Sequence, residues 1–155
     1  MANSVSRSRR QMALVFLLAA ALFSTGIVTD PAPAGATLRS RDQMFGLTND
    51  DREARERRAL DLNALLSRYA RRHSQAMADR GELFHTTNLA AKLDGLDWSL
   101  GGENVGVGSS LPELESAFMA STPHRRNILE RRYRDAAIGV VESNGSFWVT
   151  VIFYG

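Results

Sequence analysis

Three side chains combine useful chemistry with positions between structural elements. His85 lies in Leu83-Phe84-His85-Thr86, His124 in Ser121-Thr122-Pro123-His124-Arg125, and Glu103 in the glycine-rich run Gly101-Gly102-Glu103-Asn104-Val105-Gly106. Two imidazoles and one carboxylate suffice to hold Zn²⁺ with an open position, or to move protons as general acid and base. Local spacing does not join them, so only the fold can make them one site. His124 sits at the start of a helical turn, where the dipole opposes a second ring proton and keeps the imidazole neutral. Capping that turn, or bonding a backbone carbonyl, is an equally open role for it.

Other chemistries fit the sequence less well. No Lys-Ser/Thr pair and no helix follow Gly106-Val107-Gly108 directly, which removes a phosphate loop. The glycines do not keep G-x-G-x-x-G spacing, which removes a dinucleotide fold; they read as backbone devices in a bent strand. Ser121 has no nucleophile elbow around it and reads as a helix cap. His73 lies on the apolar face of a helix, as a buried, hydrogen-bonded residue. There are no cysteines, hence no disulfide, thiol nucleophile or cysteine metal site.

The elements that must position these residues can be read in outline. Asp50 to Arg58 runs from acids to bases, suiting a helix dipole, with its Arg/Glu pairs on a solvated face. Leu62, Leu65, Leu66, Tyr69, Ala70, His73 and Met77 recur at helical spacing, with Gly81 as the stop. The stretch 83–108 reads as short and loop-like, anchored by Trp98. Ser110-Leu111-Pro112-Glu113 is a capping box that opens a helix ending near Ser121, and a further turn is expected over His124 to Glu130.

At the C-terminus, Ala137 to Ser143 and Ser146 to Phe153 flank Asn144-Gly145, the preferred pair for a type I′ turn. Pairing across it places Ile138, Val140, Phe147, Val149, Val151 and Phe153 on one face. Ala137, Val141, Trp148, Ile152 and Tyr154 fall on the other. Both faces are apolar and need covering by the helices. The expected fold class is therefore α+β, a three-layer α/β/α sandwich around a small sheet that contains this antiparallel hairpin.

Of the 155 residues, 1–36 read as a signal peptide: Arg7, Arg9 and Arg10 precede an apolar run, Met12 to Val28, and Ala34-Gly35-Ala36 offers a cleavage site. The arginines also suit a twin-arginine route, and the apolar run sits at the lower limit for an uncleaved anchor. Residues 37–46 read as a linker and 47–155 as one domain. Losing Arg7, Arg9, Arg10 and Asp30 with the leader balances the chain's 19 basic and 17 acidic residues. A neutral mature chain argues against nucleic acid as partner.

The order Phe84-His85-Thr86, Gly102-Glu103-Asn104, Ser121-Thr122-Pro123-His124-Arg125-Arg126-Asn127-Ile128-Leu129 and Phe147-Trp148-Val149-Thr150-Val151-Ile152-Phe153 resembles the CAP domain, the SCP/PR-1-like superfamily, in its short secreted bacterial form. The resemblance implies an α-β-α sandwich whose cleft, lined by two histidines and acidic residues, can bind a divalent metal such as zinc, with no other cofactor expected. Carried over, His85, Glu103 and His124 form that cleft. Phe118 stands where a tryptophan precedes a second cleft glutamate, and Ser121 where that glutamate would be, so the set is incomplete. The expectation is a secreted, monomeric protein binding an extracellular ligand or protein, with no stable membrane span after leader removal. A zinc hydrolase with Glu103 and His124 as catalytic candidates is the alternative, and a lipid or sterol carrier a third.

Overall fold

The structure, a computed structural model, describes residues 34–155. The leader expectation falls almost wholly outside them. The expected linker 37–46 is helical instead, part of α1 (Ala34–Glu53). Its inward stripe, Met44, Thr48 and Arg52, has no exposed surface. Two of those three residues are polar, so no hydrophobic period announces the helix.

Arg52 corrects the expectation of a solvated Arg/Glu face. Its guanidinium donates to the carbonyls of Arg58, Ile128, Glu130 and Tyr133, tying the end of α1 to the segment before the C-terminal hairpin. Burial, then the neighbouring Arg57, lowers its pKa. The helix also stops earlier than its charge pattern suggests, at Glu53, with Glu56 at φ 56° in the following turn.

A two-residue strand, β1 (Asp61–Leu62), leads into α2 (Ala64–Arg80). Asn63 caps α2 by accepting from Leu66 N, and Gly81, at φ 64°, ends it in the left-handed conformation. The stretch expected to be loop-like holds α3 (Leu89–Leu93) and a full strand, β2 (Gly101–Gly108). Glycines hide β2 from propensity, but pairing along its whole length with β4 (Ser146–Tyr154) supplies its backbone partners.

Ser110 caps α4 (Leu111–Ala120) by accepting from Glu113 N, one half of the expected capping box, while the Glu113 carboxylate accepts from Ser109 Oγ instead. The next helix, α5 (Thr122–Ile128), starts two residues before its expected start at His124. Pro123 needs no N–H partner in a first turn, so it sits inside the helix and does not delay it. Ser121 joins the two helices through its backbone, and its side chain makes no capping bond.

The hairpin of β3 (Asp135–Ser143) and β4 has its turn at Asn144 and Gly145, with φ 51° and 72° as a type I′ turn demands. The sheet runs β1-β3-β4-β2, parallel only between β1 and β3. One face packs Ile138, Val140, Val149, Val151 and Phe153 with Met44, Leu114, Phe118 and Ile128 of α1, α4 and α5. The other packs Ala137, Ile152 and Tyr154 with Leu66, Ala70 and Leu93 of α2 and α3. The two faces divide as the period-2 pattern required, and helices on both sides make the three-layer α+β sandwich.

Candidate functional site

Strand β2 is an edge strand, and consecutive side chains on a strand leave it in opposite directions. Glu103 points to the α2 side and Asn104 to the α5 side. Glu103 Oε1 lies 3.0 Å from His85 Nδ1 and accepts from Thr86 N at 3.0 Å, and Oε2 accepts from the same N–H at 3.3 Å. On the other side Asn104 Nδ2 donates to the His124 carbonyl, while Asn127 Nδ2 donates to Asn104 Oδ1 and to the Glu103 carbonyl. Two adjacent residues thus draw the two histidine segments around one sheet edge.

The His85 loop is held from behind. Phe84 meets the His73 ring edge-on at 5.0 Å and lies under the Arg80 guanidinium, and Tyr69 donates to Thr86 Oγ1. The side chain of Glu103 is 4% exposed while that of His85 is 63% exposed. A buried carboxylate therefore fixes the ring of an exposed histidine. The contact orients Nδ1 inward and leaves Nε2 outward.

His124 packs against Phe118 with ring centroids 4.9 Å apart. Burial first, then the proximity of His85, lowers its pKa, so it is a neutral imidazole at pH 7. This neutrality comes from burial and a second histidine as well as from any helix dipole. The glycines on the α5 side of β2 make room for the helices: a Cβ on Gly106 would stand 2.8 Å from the Phe118 ring, and one on Gly102 would collide with the Tyr133 hydroxyl.

His73 is buried, as its place on an apolar helix face implies. Its Nδ1 meets Thr150 Oγ1 at 3.1 Å. Burial lowers its pKa most, and Glu103 and His85 are both near enough to influence it. His73 thus adjoins the Glu103–His85 pair from the interior. Asn104, Asn127 and Thr86 are the site residues that chemistry-first reading passed over. The available signal was that the neighbour of Glu103 on a strand must serve the opposite face.

Among the described residues, no group of three or more His, Asp or Glu side chains is arranged to hold a metal ion. Both Glu103 oxygens face Thr86 and one faces His85 Nδ1, so the fit to a metal rests on the two imidazoles, with Glu103 behind that of His85. Among the described residues no helix is long and apolar enough to cross a membrane.

Sandwich, edge strand and paired histidine segments define a protein class, and comparison with known families agrees: the cysteine-rich secretory protein (CAP) family model matches residues 45–153, and the chain belongs to that family. It is similar to the uncharacterised protein YkwD of Bacillus subtilis (strain 168), with 32% identity over 127 residues, 77% of this chain and 49% of that protein. The chain thus spans about half the length of this curated relative. Among solved structures it shares its fold with an extracellular SCP-domain protein of Bacillus anthracis (TM-score 0.67, 22% identity, 81% of this chain and 45% of that one). An outer surface protein of Borrelia burgdorferi is similar over 76% of this chain and 93% of its own (TM-score 0.68, 14% identity).

Proposed function

We propose that this protein is an extracellular binding module whose ligand site is the edge cleft of His85, Glu103 and His124, without turnover. The state of Glu103 carries the reading. Its carboxylate is enclosed and engaged by Thr86 and His85, so it serves to orient a ring and is poorly placed to take a proton from bulk water. His85 then offers Nε2 to an incoming ligand and His124 offers a neutral imidazole. A divalent cation such as Zn²⁺ suits two such donors; bound there, it would supply Lewis-acid chemistry. Export is supported by the apolar run 12–28 and by the extracellular and outer-surface descriptions of the two structural relatives.

A zinc hydrolase is the second reading, favoured by one detail: Glu103 Oε2 has a single contact, at 3.3 Å. Zinc titration of the purified protein and of His85→Ala/His124→Ala tests both readings. Saturable zinc uptake that the double variant loses is expected, together with no hydrolysis of peptides or cell-wall fragments. Equal, negligible uptake by both proteins would remove the metal from the proposal. Hydrolysis that disappears in Glu103→Gln would replace the binding module by the enzyme.

A further inference from the structure

The outer face of α2 carries a cationic ridge that the cleft does not use. Arg68, Arg71 and Arg72 are exposed, and none forms an ion pair or hydrogen bond with a described residue. Their spacing of three and four residues puts them on one side of the helix. Beside them a groove of about 540 Å³ runs between α1 and α2, with Leu38, Ala64, Ile138 and Val140 beneath it. Leu38 is 50% exposed there.

We propose that this groove binds an extended acidic peptide segment of a partner protein, its carboxylates on Arg68, Arg71 and Arg72 and its apolar side chains against Leu38 and Ala64. Charge complementarity selects the partner: three guanidiniums that no described carboxylate engages, Asp94 standing near Arg68 and Arg72 without pairing to either, match carboxylates, which they can grip in bidentate fashion. Length agrees, because Ala64 to Gln75 spans about 16 Å of helix, roughly five residues of extended chain. Strand addition is not the mode, since the edge N–H of Ile138 is already taken by Ser67 Oγ at 3.0 Å; recognition falls to side chains. A flat bilayer does not enter a groove between two helices. This surface stands apart from the His85–Glu103–His124 cleft and does not depend on its reading.

The test is fluorescence anisotropy of the purified protein with a short fluorescein-labelled peptide of glutamates around central leucines. A lysine-for-glutamate peptide and phosphatidylglycerol vesicles serve as competitors. Saturable, salt-sensitive binding is expected. Arg68→Glu/Arg71→Glu/Arg72→Glu should weaken it by roughly tenfold or more, while Arg125→Glu/Arg126→Glu on exposed α5 positions leaves it unchanged. Leu38→Ser should weaken the leucine-bearing peptide and not an all-glutamate one, and circular dichroism checks that each variant is folded. Absence of saturable binding, equal loss in both charge-reversal variants, or competition by vesicles but not by unlabelled peptide would overturn the proposal. Persistence of binding in His85→Ala/His124→Ala separates this surface from the cleft.

Discussion

Raising the pH should destabilise this domain through one side chain, Glu115. It lies on α4 with 2% of its surface exposed, and its carboxyl oxygens face only the nearby Thr48 hydroxyl, outside good hydrogen-bond geometry. Burial first, and then the charge of Asp51 on α1, pushes its pKa from 4.5 to about 8, with the Thr48 hydroxyl opposing. The folded protein therefore keeps a proton that the unfolded chain releases near 4.5, and stability falls between these two values as pH rises. At about 1.36 kcal/mol per unit, the full loss is roughly 5 kcal/mol, and about 3 kcal/mol of it has occurred by pH 7. Against a domain stability of about 5–15 kcal/mol this is a large share.

The assay is urea unfolding followed by tryptophan fluorescence from about pH 5 to about pH 9, for the wild type, Glu115→Gln and Glu115→Met. Both variants remove the ionisation, so the difference between each and the wild type should widen as pH rises to about 8 and level off above it. Subtraction isolates Glu115, because His73 and His124 have lowered pKa values and act in the opposite sense, costing stability as pH falls below the ordinary histidine value. Parallel curves for wild type and both variants would refute the reasoning, as would wild-type stability rising relative to the variants at alkaline pH.

Arg52→Met should cost about 4 kcal/mol, since it leaves four carbonyls of the α1 and α5 junctions without their donor. The melting temperature should fall by roughly 15 °C, and a fall of only about 2 °C would show that water replaces the guanidinium. Gly106→Ala should cost about 1–3 kcal/mol by pressing on Phe118 and Leu114. Because Phe118 lies against His124, the imidazole NMR signals of His124 should move while those of His73 hold still. Unchanged stability and signals would mean that α4 yields freely.

The hairpin was legible because its inward residues are mostly apolar at a period of 2, and α2 because Leu66, Ala70 and Met77 keep a helical period although Ser67, His73 and Ser74 are buried among them and Leu65 is exposed. Strand β2 was not, since its glycines carry no propensity signal and its stability comes from β4. Helix α1 escaped for a related reason: the stripe Met44, Thr48 and Arg52 is buried, but only Met44 looks buried by type. What solvates Arg52 is a set of carbonyls, three of them from residues 128–133. No local pattern could disclose them.

The sequence by itself determined which groups could do chemistry, His85, Glu103 and His124, and the alternation that splits the hairpin into two buried faces. It left open whether those three groups meet, because neither side-chain type nor spacing carries that information across separate elements. Tertiary structure decided that His85 meets Glu103 and that the His124 backbone is tied to the next strand residue, Asn104. With β2 at the sheet edge, Glu103 and Asn104 diverge to opposite faces, and each holds the segment bearing one histidine. The pairing of strands, which depends on backbone groups common to every residue, is what set a glycine-flanked carboxylate between the two histidine segments.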